Sequence, residues 1–257
     1  MKTASAPAGP AGVPVSGVVS AVNEAEPQAG MRERARAFAE PLLAGETTAT
    51  GENLLTHADA VADILAGIGG AESIQAAAYL GYACAQLRRP EEVIGKAFGE
   101  NFARLAIETA RLEQLQQRSR AGRADQPTDS EQAGQQTEAV RKMLLAFSRD
   151  LRVVLLRLAS RLQTLRWCAA QRQPLAPSVL REAHEVFAPL ANRLGIWQIK
   201  WELEDLIFRA QEPDTYRQIA GLLDEKRTER EAALEQRRAE IETALRAPGI
   251  AAAAPGR

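Results

Sequence analysis

Histidine, cysteine and aromatic side chains are scarce in this sequence, and each scarcity narrows what the chain can be. Its two cysteines, Cys84 and Cys168, make neither a disulfide framework nor a zinc-ligand spacing. They read as small buried apolar groups in a reducing compartment. Apolar runs all fall short of the ~20 residues that span a bilayer. The N-terminus lacks the basic-then-apolar order of a secretory signal. Alternating β-branched stretches that would mark strands are missing too. Neither sign of charge is in excess: 32 basic residues face 33 acidic ones. No global field therefore draws the chain to nucleic acid or to an anionic membrane. The expectation is a soluble, cytoplasmic protein without membrane or direct nucleic-acid contact.

What is present is helical periodicity. The 257 residues, 46% of them hydrophobic, suffice for one or two domains with a real core. Residues 1–30 are rich in Ala, Pro, Gly and Val but poor in large apolar side chains, so they are expected to form a disordered arm. Arg118 to Gln136, without periodicity and with Pro, Gly, Ser and Asp, reads as a mobile loop. Ala60, Ile64, Leu65 and Ile68 share one helical face, and Ile74, Ala77, Ala78 and Gly81 share the next after a Gly69-Gly70 break. From Met143 to Leu165 a wide apolar stripe predicts a central, largely buried helix. Ser178 is the expected N-cap of a helix that stops at Gly195. Another helix is expected over Trp197–Ala210. Pro213 opens a last charged segment to about Arg246, and the Pro/Gly/Ala run to Arg257 reads as a frayed end or a linker. The fold class is all-α. The domain boundaries are an arm at 1–30, a helical domain at 31–212, and a charged helix with linker at 213–257.

Two stretches carry a family resemblance. Residues 141–159 (RKMLLAFSRDLRVVLLRLA) and 187–208 (FAPLANRLGIWQIKWELEDLIF) closely resemble the N-terminal hydrolase-type, or HD, domain of RelA/SpoT alarmone enzymes. The likeness runs from roughly Gly51 to Arg227. In long members of that family this helical domain precedes a synthetase domain that transfers pyrophosphate from ATP to GDP or GTP. This chain ends where that second domain would begin.

Hydrolysing a 3′-pyrophosphate needs a divalent cation, to supply the nucleophile and offset phosphate charge. It also needs imidazole and carboxylate ligands converging from several helices, with a carboxylate pair positioning the water. The resemblance places these groups on specific residues, and most are replaced. The first histidine is kept as His57. The His-Asp positions hold Gly81 and Tyr82, and the Glu-Asp positions hold Ala85 and Gln86. The central-helix aspartate is Ser160 in Leu158-Ala-Ser-Arg-Leu, and a nearby family asparagine falls on Thr164. The base-stacking arginine falls on Thr48, while Gly51-Glu52 survive. One imidazole does not hold a catalytic cation, so neither a metal nor any other cofactor is expected and His57 reads as a relic.

Other residues have plainer readings. His184 is structural. Asp59 and Asp63 belong to a solvated helix surface, and Arg141 and Lys142 are solvated helix charges. Trp197 and Trp201 are read as packing between the domain and the tail helix, with an interdomain contact as the sharper alternative. Glu229 and Arg230, at the far end of the charged segment, are the candidate lever on a following domain. The resemblance thus implies an inactive regulatory pseudo-hydrolase partnered in cis by a GTP pyrophosphokinase-type (p)ppGpp synthetase domain, part of the stringent response. Two alternatives remain open. One is a binding module for a nucleotide or peptide, its pocket lined by Tyr79, Tyr82 and Gln86. The other is a working metal-dependent ppGpp hydrolase.

Overall fold

The computed structural model describes residues 30–121 and 150–246. The expected arm at 1–30 (Gly30 apart), most of the expected loop, Arg141, Lys142 and the final run after Arg246 lie outside them. The elements, in chain order, are α1 (Met31–Leu43), α2 (Leu54–Gly67), α3 (Glu72–Gln86), α4 (Pro90–Phe98), α5 (Glu100–Ala121), α6 (Leu151–Ala170), α7 (Pro177–Glu182), a π-helical turn (Ala183–Phe187), α8 (Ala188–Arg193), α9 (Trp197–Gln211) and α10 (Pro213–Arg246). Among the described residues there is no strand, only an isolated bridge between Thr47 and Asn53. Among the described residues no helix is long and apolar enough to cross a membrane. The chain divides into two compact units, Met1–Ala210 and Gln211–Arg257.

In the first unit α3 is the hub, packing against α1, α2 and α5, while α6 packs against α2 and α5. Helix α3 is small-residue rich, so neighbours approach it closely, and Ile74 through Gly81 are buried without a break. The second central element, α6, buries Val153–Gln163 in one run, including Arg157, Ser160, Arg161 and Gln163. A helix buried on all sides must satisfy those polar groups internally, and this demand builds the site described below. Helix α1 escapes a periodicity reading because two of its four buried positions (Met31, Ala35, Ala39, Leu43) are alanine.

Several boundaries move from their expected places. Helix α5 continues to Ala121, so residues 118–121 are helical, as their Arg and Ala content favours. The central helix begins at Leu151, because Asp150 caps it by accepting from Arg152 N at 3.0 Å. Leu144, Leu145 and Phe147 lie outside the described residues. Ser178 is not the cap of α7: Ala176 holds that position, and Pro177 takes the first helical turn, where its missing N–H costs nothing. The π turn has a local cause. Pro189 cannot donate to the carbonyl four residues back, and its ring crowds that carbonyl, so the helix loosens just before it. The expected stops hold: Gly69 and Gly195 both adopt positive φ, at 84° and 70°.

Gly81 sits mid-helix with ordinary φ, and a Cβ there would meet Thr109 Cγ2 at 3.4 Å, an ordinary contact. Gly81→Ala is therefore expected to stabilise the domain by about 0.5–1 kcal/mol through helix propensity. A urea midpoint that stays or falls would contradict this.

Candidate functional site

The sequence-singled positions converge. Thr48, His57, Gly81, Tyr82, Ala85, Gln86, Ser160 and Thr164 all line one cavity of about 350 Å³, walled by α2, α3, α5, α6 and the 47–50 loop. The loop is shaped by Gly51, whose φ of 82° lets the chain turn back so that Thr48 N donates to Glu52 O at 2.8 Å. Thr48 Oγ1 spends its hydrogen bonds inside that turn, accepting from Glu52 N at 3.2 Å and pairing with Thr50 Oγ1 at 2.9 Å. Asn53 caps α2 by accepting from Thr56 N at 3.1 Å, which sets the first turn from which His57 projects.

His57 is only 2% exposed, and both ring nitrogens are engaged. Its Nδ1 lies 2.6 Å from Glu52 Oε2, and its Nε2 lies 3.3 Å from Ser160 Oγ. Tyr82 donates its hydroxyl to Ser160 Oγ at 2.8 Å, and its ring meets His57 edge-on at a centroid distance of 5.4 Å. Gln163 Nε2 donates to the other oxygen of Glu52 at 2.5 Å. Burial pushes the Tyr82 hydroxyl well above the usual phenol range, so it remains a donor. A single hydrogen-bonded chain, Gln163–Glu52–His57–Ser160–Tyr82, thus occupies the place the resemblance assigns to a cation.

A second network flanks it. Arg157 lies 3.4 Å from Glu113 and donates to Gln116 Oε1, Gln116 donates to Glu182 Oε1 at 3.3 Å, and Arg161 donates to Glu182 Oε2 at 2.7 Å. The Arg161 guanidinium also lies 4.9 Å from the Phe187 ring centre, in cation–π geometry. Glu52, Gln163, Arg157, Gln116 and Glu182 escaped the sequence reading as site residues. For Arg157 and Gln163 the signal was polar side chains in phase with the buried stripe of α6, for Glu52 it was the surviving Gly51-Glu52 pair, and Gln116 and Glu182, on α5 and α7, gave none.

The remaining candidates do not join the cavity. Tyr79 is fully buried, and its hydroxyl donates to Asp59 at 2.9 Å, on the side facing α1. This corrects its placement on the pocket wall. Burial, then the bond to Asp59, raises its pKa to about 12. Asp59 is not simply solvated: it also accepts from Arg36 Nε at 2.8 Å and ties α1 to α2. Asp63 is exposed and pairs with Arg32. His184 is exposed on the π turn. Cys84 and Cys168 are buried free thiols, with Cys84 raised to about 11 by burial. Trp197 and Trp201, 46% and 64% exposed, meet at a tilt of 43° with ring centroids 6.3 Å apart. The core face of α9 is Ile199, Leu203 and Ile207, roughly opposite them on the helix. The side chains of Glu229 and Arg230, on α10, lie outside the described residues.

The all-α scaffold, with one cavity lined by the positions the resemblance singles out, fits the HD-domain class, and the comparisons agree. The profile of the HD domain family matches residues 35–197, and the chain belongs to that family, in its RelA/SpoT branch. Among similar proteins is the probable guanosine-3′,5′-bis(diphosphate) 3′-pyrophosphohydrolase of Synechocystis sp., 38% identical over 217 residues, which are 84% of this chain and 27% of that protein. The bifunctional (p)ppGpp synthase/hydrolase SpoT of Escherichia coli is 33% identical over 213 residues, 83% of this chain and 29% of that protein. A GTP pyrophosphokinase of Photobacterium angustum is 42% identical over 122 residues, 48% of this chain and 16% of that protein. The chain thus spans about a third or less of the relatives it matches.

Proposed function

We propose that this chain is a regulatory HD domain that does not hydrolyse (p)ppGpp and acts in cis on a (p)ppGpp synthetase domain, without metal or other cofactor. The observation that carries this reading is the donor set of the cavity. A hard divalent cation there wants carboxylates and imidazoles with free lone pairs. It would meet a phenol at Tyr82, an alcohol at Ser160, and a His57 whose two nitrogens are already bonded. No group of three or more His, Cys, Asp or Glu that could hold an ion occurs among the described residues. The donor set does not fit a cation. The carboxylate pair that would position water is Ala85 and Gln86, neither of which takes a proton.

The retained scaffold supports a regulatory role. A domain that leaves ppGpp untouched biases a neighbour only by binding one of its states better than the other. Helix α10, 34 residues long and charged, is the proposed route to that neighbour. In a chain carrying the synthetase domain, reversing Glu229 and Arg230 together is expected to change the synthetase rate or its response to activators, and deleting residues 1–212 is expected to change it more. If both leave rate and response untouched, the domain is a passive scaffold. Release of pyrophosphate from ppGpp by the intact chain with manganese would instead favour the hydrolase reading, which the names of several relatives suggest.

A further inference from the structure

The hydrogen-bonded chain in the cavity has a chemical direction. Glu52 is a carboxylate at 2.6 Å from His57 Nδ1, and His57 Nε2 is 3.3 Å from the Ser160 hydroxyl oxygen. A carboxylate only accepts, so Nδ1 carries the hydrogen, and in the neutral imidazole Nε2 then presents its lone pair to Ser160. Gln163 takes the other oxygen of Glu52 and fixes the carboxylate's orientation. Tyr82 points its O–H at Ser160 Oγ, leaving the serine its own proton to give to His57. Acid, imidazole and hydroxyl therefore stand in the order and polarity of a serine-hydrolase triad, which is recognised by geometry and not by fold or chain order. His57, Ser160 and Tyr82 all open onto the cavity, and Glu52 lies behind them, fully buried.

We propose that Ser160 is a nucleophile for acyl transfer from a small uncharged ester, with His57 as general base and Glu52 as the residue that positions it. This rests on the reading of a cation-free cavity, since a cation on His57 Nε2 would take the lone pair the serine needs. Ser160 Oγ attacks the ester carbonyl while its proton passes to His57 Nε2. The ester C–O bond then breaks, and the alcohol leaves with that proton. Water, deprotonated by His57, cleaves the acyl–Ser160 ester, which releases the acid and restores the hydroxyl. The Tyr82 hydroxyl donates to Ser160 Oγ at 2.8 Å, and it serves the developing oxyanion by turning from the attacking oxygen to the carbonyl oxygen beside it.

The substrate class follows from size and charge. About 350 Å³ admits a short acyl chain. The guanidinium groups of Arg157 and Arg161 are met by Glu113 and Glu182, and Glu52 adds a further carboxylate, so no cationic surplus is left to hold an anionic ester.

The test uses the intact chain and an alkyl fluorophosphonate, which phosphonylates an activated serine with loss of fluoride. One adduct is expected, located on Ser160 by peptide mass mapping and absent from Ser160→Ala. His57→Asn is expected to slow labelling by roughly 100-fold or more. With p-nitrophenyl acetate, Glu52→Gln is expected to lower kcat while leaving KM, a separation that mere loss of packing would not give. Circular dichroism on each variant distinguishes a lost nucleophile from a lost fold. No adduct on Ser160 of the folded wild-type chain, or equal labelling rates with and without His57, overturns the proposal. Metal analysis of the same wild-type sample separates the two readings: a metal-free chain that is not labelled sinks only the triad, and a metal-bound chain sinks the cation-free cavity as well.

Discussion

Glu52→Ala is expected to destabilise the domain by about 3–5 kcal/mol, the cost typical of removing one partner from a buried charged or hydrogen-bonded pair. Glu52 has no exposed surface and accepts from two buried groups, His57 Nδ1 and Gln163 Nε2, on two different helices. Its removal strands both donors away from water, and each buried unsatisfied group costs about 1–3 kcal/mol. It also empties the volume between the start of α2 and the middle of α6. Glu52→Gln keeps shape and one acceptor, so it is expected to lose roughly half as much on the same hydrogen-bond scale. Urea denaturation followed by circular dichroism measures both. A loss below about 1 kcal/mol for the alanine variant, the size of one ordinary net hydrogen bond, would mean that water reaches the site and the chain of bonds does not hold the core together.

The second large effect concerns the cation. Dialysed against manganese and analysed for metal, the chain is expected to retain no stoichiometric ion, and incubated with ppGpp and manganese it is expected to release no pyrophosphate. The reason lies in two changes that act together. Tyr82 and Ser160 supply neutral oxygen atoms already hydrogen-bonded to each other, and His57 Nε2 faces Ser160 rather than open space. A triple variant, Gly81→His, Tyr82→Asp and Ser160→Asp, puts back the residue types that the resemblance assigns to these positions. With His57 it would offer two imidazoles and two carboxylates on α2, α3 and α6, a set suited to a divalent metal. That variant is expected to retain about one equivalent of manganese, where the parent retains none. Metal held equally by parent and by His57→Ala would place the ion elsewhere. Metal held by the parent and lost in His57→Ala would refute the reading of His57 as a relic.

Much of this was legible in the sequence because it depends on local pattern. Helix α2 could be read from apolar spacing, the break after it from Gly69-Gly70, and the last two helices from Trp197 and Pro213 onward. Each rests on residues within a few positions of one another. Failures came where packing overrode pattern. Helix α1 hides its buried stripe in alanines. The Ser178 cap lost to Pro177 because fixed φ at the first turn outweighs a hydroxyl one residue later. On α9 the buried stripe is Ile199, Leu203 and Ile207, on the face opposite Trp197 and Trp201.

By itself the sequence determined the helical class and the family, and the resemblance assigned that family's ligand and catalytic positions to glycine, tyrosine, alanine, glutamine and serine. How those positions are bonded to one another was decided by the tertiary structure alone. Glu52 and Gln163 are 111 positions apart, and His57 and Ser160 are 103 apart. No spacing rule joins them. They meet because α2 packs on α6 and both are buried there, and a polar group shut away from water must find its partner in whatever the fold brings within reach.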